Sequence, residues 1–205
     1  MKLSECNFRD LISKFVLIRG EWVRKGAVKF LNDFQYSAPP NMDAALCYCY
    51  IDREAGLSFH FICLANFETG EIDRLHKDIM LIYRANPGFD VKEYLGDVSA
   101  FKNRKYLVER NYNSDLNIIA TRDIQEVDHL RHAQYPDDIR VLLENDGSVT
   151  EYVWVRLSET RNGKLIGTLL NEPLHDFGVH RGGEVCIRLG VYAGEVYAAI
   201  ELTHE

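Results

Sequence analysis

The stretch from Asn171 to Gly183 reads Asn-Glu-Pro-Leu-His-Asp-Phe-Gly-Val-His-Arg-Gly-Gly. It sets Glu172, His175, Asp176, His180 and Arg181 close together in the chain. Imidazole beside carboxylate is the pairing that binds a transition metal or moves a proton near neutral pH. A metal site also needs ligands at short, rigid spacing, such as two histidines four apart on a helix. This loop has no such pair. The competing reading is a solvated loop in which Asn171 and Asp176 hydrogen-bond to nearby backbone. The spacing favours that reading, so neither a metal nor a cofactor is expected. A metal-binding protein or hydrolase built on residues 171–183 remains the alternative.

Other chemistry-bearing residues are scattered. His129 and His132 lie three apart beside Asp128, and on a helix they would share a face. No second ligand pair accompanies them. Cys47 and Cys49 fall in an apolar run. In a strand they share a face, and adjacent same-face cysteines rarely bridge, so buried free thiols are expected. The chain has five cysteines, an odd number without framework spacing, which points to a reducing cytoplasm. There is no Gly-x-Ser-x-Gly elbow, no Gly-x-Gly-x-x-Gly and no phosphate-loop lysine motif.

The elements that must carry these residues differ between the two ends of the chain. Phe8, Leu11, Ile12, Phe15 and Val16 follow a helical stripe and predict a helix over 7–16. Ala44–Ile51 and Leu57–Leu64 predict a hairpin about Asp52–Gly56, with Phe59, Phe61 and Cys63 on one face. Both faces are apolar, so both should be covered. Glu71–Tyr83 predicts a helix, Val91–Tyr94 a helical turn, and Lys105–Arg110 and Leu116–Thr121 strands. Ile124–Arg131 predicts a short helix with Ile124, Val127 and Leu130 inward.

From Tyr135 onward the pattern is wholly β. Residues 139–144, 149–157, 165–170, 184–189 and 196–202 alternate as strands between turn signals such as Asn162-Gly163. In the second of these, Val149, Glu151, Val153, Val155 and Leu157 form the core-side face. Thr150, Tyr152, Trp154 and Arg156 form an aromatic, half-polar outer face suited to an interface. The expected fold class is α+β, with a mixed N-terminal region over 1–134 and a small antiparallel meander or barrel over 135–205.

The same region carries a resemblance. Trp154-Val-Arg-Leu-Ser-Glu159, then Gly167-Thr-Leu-Leu-Asn171-Glu-Pro173, then Gly183-Glu184-x-Val resembles an uncharacterised bacterial domain family. The likeness covers about residues 135–189. Glu184 stands where that family has Asp, and no Asp-Trp ending follows the last strand. The family resembles, distantly, bacterial immunity-protein families, which neutralise toxins. The resemblance therefore implies a protein partner. A motif of Trp, Leu, Gly and Pro is what maintenance of a fold requires, which weakens an enzyme reading.

Composition sets the remaining bounds. At 205 residues and 46% hydrophobic, the chain can bury a substantial core. No run approaches the ~20 apolar residues needed to span a bilayer, and no secretion signal is read at the N-terminus. Residues 1–112 hold 16 Lys/Arg against 15 Asp/Glu, a net of +1, whereas residues 113–205 hold 8 against 16, a net of −8. An acidic half repels phosphate backbones, so nucleic acid is not an expected partner. A basic, toxin-like protein suits it, as does simple solubility. The expected function is thus non-enzymatic protein binding of an immunity or regulatory type. Trp154, Asn171, Glu172, His175, Asp176 and His180 are the binding candidates. A small-ligand sensor, with a pocket formed by the N-terminal hairpin and helix, is a further alternative.

Overall fold

A computed structural model describes residues 1–32, 36–73, 80–112, 115–145 and 149–202. It is α+β and divides into two compact units, Met1–Asn113 and Ser114–Glu205. The boundary thus lies before the expected 134/135 divide. The reason is that residues 115–134 pack on the strands that follow them.

The first unit is an antiparallel sheet in the order β4-β3-β2-β1-β5. The strands are β1 (Phe15–Arg19), β2 (Ala44–Asp52), β3 (Gly56–Ala65), β4 (Ile82–Arg84) and β5 (Asp90–Glu93). Val16 and Ile18 of β1 point to one core with Val23, Ala27 and Leu31 of helix α1 (Glu21–Asn32). Phe15 and Leu17 point to a second core with Val108 of helix α2 (Lys102–Tyr112). Both faces of the hairpin are therefore buried, as its double apolar pattern requires. A bulge between Leu46 and Cys47 shifts the register, so Cys63 leaves the face of Phe59 and Phe61 and joins Ile62. All five cysteines are free thiols, and Cys47, Cys49 and Cys63 are buried.

Several local expectations are corrected here. The stripe over 7–16 yields only a 3-10 turn at Phe8–Asp10. Ser13 then takes a φ of 61°, which turns the chain into β1. In the segment expected as a helix over 71–83, Ile72 bridges to Ala65 and Ile82 pairs with His60 in β4. Residues 74–79 of that segment lie outside the described residues. Val91 lies in strand β5, paired with Ile18, instead of in a helical turn. Residues 105–110 belong to α2. Residues 116–121 belong to helix α3 (Leu116–Arg122), whose start is capped by Asp115 accepting from the Asn117 N–H at 2.8 Å.

The second unit is a closed barrel. Its strands are β6 (Arg131–His132), β7 (Tyr135–Asn145), β8 (Val149–Arg161), β9 (Lys164–Leu169), β10 (Glu184–Tyr192) and β11 (Glu195–Ile200), in the order β11-β10-β9-β8-β7-β6. A parallel pairing of Ala199 with Leu142 joins β11 to β7 and closes the ring. Val141, Val153, Val155, Leu157, Leu169, Val185 and Ile187 fill the interior, the alternation expected of a small barrel. Val127 and Leu130, from a 3-10 turn at Gln125–Leu130, join the same core. Asn162 and Gly163 both take positive φ, 53° and 77°, which suits the tight turn between β8 and β9.

At Gly167 the barrel wall is too tight for a side chain. A Cβ there would meet the Arg156 carbonyl oxygen and the Val155 Cγ1, each at 2.5 Å. Gly167→Ala should therefore lower unfolding stability by about 1–3 kcal/mol, the usual cost of forcing an extra carbon into a packed core. Chemical denaturation followed at the second unit would measure it, and unchanged stability would contradict the close approach of β8 and β9.

Candidate functional site

The strands of the barrel position the 171–183 loop, and its polar groups are engaged in holding it there. The Trp154 N–H donates to Asn171 Oδ1 at 2.8 Å, and the Leu170 N–H donates to the Trp154 carbonyl at 2.8 Å. Asn171 thus continues the β8 ladder with its side chain where the strand bends away. Glu151 of β8 accepts the Leu174 N–H at 2.9 Å through either oxygen. Asp176 accepts the Gly178 N–H at 3.0 Å, a local turn of the kind its residue type favours. Phe177 is buried in the barrel core and anchors the loop from beneath.

Of the loop candidates, the fold brings Glu172 and His180 together. Glu172 Oε1 lies 2.7 Å from His180 Nδ1, and Oε2 accepts the Arg181 N–H at 2.8 Å. The hydrogen bond and charge of Glu172 raise the His180 pKa, and the His180 hydrogen bond lowers that of Glu172. Both side chains are exposed, so solvent screens the pair and its contribution to stability is small. His175 lies 3.5 Å from Glu151 Oε2 and edge-on to Phe177. It does not join Glu172, and Asp176 is hydrogen-bonded within its own turn, although its charge adds to the rise in the His180 pKa. Among the described residues, no cluster of three or more His, Cys, Asp and Glu side chains could hold a metal ion.

His129 and His132 do not share a helical face. The turn ends at Leu130, and His132 belongs to β6. His129 Nε2 lies 2.8 Å from the Val196 carbonyl. The His132 ring stacks edge-on against Trp154, centroids 5.3 Å apart, and covers part of that indole.

The acids of this half are largely engaged as well. Asp137 takes a two-pronged contact from Arg122, both distances 2.7 Å, and Asp138 takes one from Arg156 at 2.7 and 3.1 Å. Both aspartates are buried. Each pair is neutral as a whole, so the net charge of −8 is carried by the remaining groups of this half.

The outer face of the barrel holds a different constellation. A groove of about 420 Å³ is lined by Arg140 and Leu142 of β7, Tyr152 of β8, and Val191, Tyr192 and Tyr197 of the β10–β11 hairpin. Tyr152, Val191 and Tyr192 are 60%, 70% and 80% exposed. The Arg140 guanidinium sits 4.8 Å from the Tyr152 ring centroid. A Cβ on Gly190 would lie 2.5 Å from the Tyr197 ring, so that ring rests directly on the glycine. Glu144 and Glu195 also line the groove. The outward alternation of β8 identifies Tyr152, but the hairpin residues escape a reading of single strands. They reach the same face only when β11 closes onto β7.

No family model, curated protein or solved structure matches this chain. No helix among the described residues is long and apolar enough to cross a membrane.

The Glu172–His180 pair has a definite pH signature. A raised histidine pKa stabilises the fold below the unfolded value of 6.5, and that gain is lost as pH rises through the folded value. A lowered carboxylate pKa stabilises it above 4.5, and that gain is lost as pH falls through the folded value. The pair is fully effective only between those two limits. An NMR titration should show His180 with a midpoint above 6.5, returning toward 6.5 in Glu172→Gln. A midpoint that ignores the substitution would contradict the pairing.

Proposed function

We propose that the second unit is a protein-binding barrel of immunity or regulatory type. In this reading a basic partner protein is held on the face built from Tyr152, Val191, Tyr192 and Tyr197. The observation that carries this reading is the exposure of three large apolar side chains around one groove. Contiguous exposed apolar surface rimmed by polar groups commonly marks an interaction site. Tyrosine and arginine are among the residues that supply most binding energy at such sites. Glu144 and Glu195 stand at the groove and give the face an acidic rim, which suits a cationic partner and speeds its approach. The resemblance of residues 135–189 to an uncharacterised bacterial family, and more distantly to immunity proteins, agrees with the same reading. The 171–183 loop supports it less directly. Its carboxylates and imidazoles are taken up in anchoring backbone and each other, which suits a structural role for the loop.

The test is affinity capture with the wild-type chain and with a Tyr152→Ala/Tyr192→Ala variant, followed by kinetics on the captured protein. The double variant should bind at least tenfold more weakly, about 1.4 kcal/mol or more. Glu144→Lys/Glu195→Lys should slow association and flatten its dependence on salt. Equal binding by the aromatic variant would overturn the proposal. So would light scattering that showed the wild type dimerising through these tyrosines.

A further inference from the structure

The first unit contains a cavity unrelated to the barrel groove. It lies between α2 and the end of the sheet where β4 contributes only three residues. Its walls include Ile82, Leu107 and Val108, with His60, Arg104 and Tyr112 among its polar members. The volume is about 120 Å³. An apolar cavity of ~150 Å³ accommodates a benzene ring, so this one, open at its rim beside the half-exposed Leu107, is of the size for a single six-membered ring.

His60 is the unusual member. It sits in the middle of β3, paired with Tyr48 and Ile82, and is only 7% exposed. Its ring forms no hydrogen bond among the described residues. Its nitrogens are not sealed from solvent: the ring lines the cavity, where an entering group can meet them. Burial, assisted by the nearby Arg104 charge, pushes its pKa down to about 4. The ring is therefore neutral in ordinary buffers and offers one N–H donor and one lone pair. A hydroxyl can serve either nitrogen, because it both donates and accepts. The aliphatic walls favour an uncharged body, since an anion would lose its hydration against them while the Arg104 guanidinium is already engaged by the Phe61 carbonyl.

We propose that this cavity binds a small uncharged ring bearing one hydroxyl group, a phenol-class ligand, hydrogen-bonded to His60.

The experiment is NMR titration of the full chain with phenol, toluene and benzoate, following the His60 ring and the Leu107 and Val108 methyls. Phenol should give saturable shifts at these three residues. It should bind about fivefold more tightly than toluene, the ratio that one net hydrogen bond provides. His60→Phe keeps the ring volume and should abolish the preference for phenol over toluene. Leu107→Trp, at an exposed position on the rim, should block both ligands while circular dichroism stays unchanged. The proposal is overturned by shifts that do not saturate, by equal affinity for phenol and toluene, or by a preference for phenol that survives in His60→Phe. It is equally overturned if benzoate binds more tightly than phenol, which would make the cavity an anion site.

Discussion

Arg131 holds the second unit together. Its side chain is 2% exposed, and its guanidinium is shared among at least four oxygens of the described residues. Nε meets Asp128 at 3.0 Å, Nη1 donates to the Pro136 carbonyl at 2.7 Å, and Nη2 donates to the carbonyls of Thr121 and Ile124 at 2.7 and 3.3 Å. A buried cation is tolerable only when its donors are met. Here they are met by the end of α3, the turn that follows it and the start of β7. One side chain thereby fastens residues 121–136 to the barrel. The two-pronged contacts of Arg122 with Asp137 and of Arg156 with Asp138 extend the same arrangement along β7. Removing one member of such a set leaves a buried charge without its partner, which is why these positions are more restrictive than ordinary surface ion pairs.

Only part of this fold was legible in the sequence. The barrel strands could be read because Val153, Val155 and Leu157 alternate strictly with outward polar or aromatic residues, and because Asn162-Gly163 has one natural use. The β2–β3 hairpin could be read for the same reasons. Helices α2 and α3 could not. Tyr106, Leu107 and Val108 run together as a strand would, yet only Val108 is buried, and a single inward position defines no period. In α3 the inward residues are Ile118 and Thr121, three apart, within a segment of only seven residues. The capping aspartate at 115 was the available signal. The stripe at 7–16 shows the converse failure. Its spacing is helical, but Ser13 interrupts it with a left-handed backbone, so its apolar residues reach the core by two different routes.

The candidate loop was legible as chemistry but not as geometry. Glu172 and His180 do meet, eight residues apart, whereas His175 pairs with a strand residue, Glu151, that lies 24 positions earlier. Nothing in a linear pattern indicates that second pairing. It depends on Pro173 and the bend at Asn171 bringing the loop back along β8. The charge asymmetry was legible as a total but not as a surface. A count of acids does not distinguish Asp137 and Asp138, enclosed by arginines, from Glu144 and Glu195, which face solvent.

The pairing of Leu142 with Ala199 carries a kinetic consequence. It joins β7, the first long strand of the second unit, to β11, so almost the whole second unit must be gathered before the ring can shut. Contacts this distant in sequence carry the entropy of a long closed loop before they return any packing, and they slow folding. Until that moment β11, and β7 beyond its short pairing with β6, each present an unpaired edge, the kind that recruits a foreign strand. The stability of the closed barrel and its exposure to misassembly thus meet at one seam. A nascent chain reaches that seam only once the final hairpin has been made.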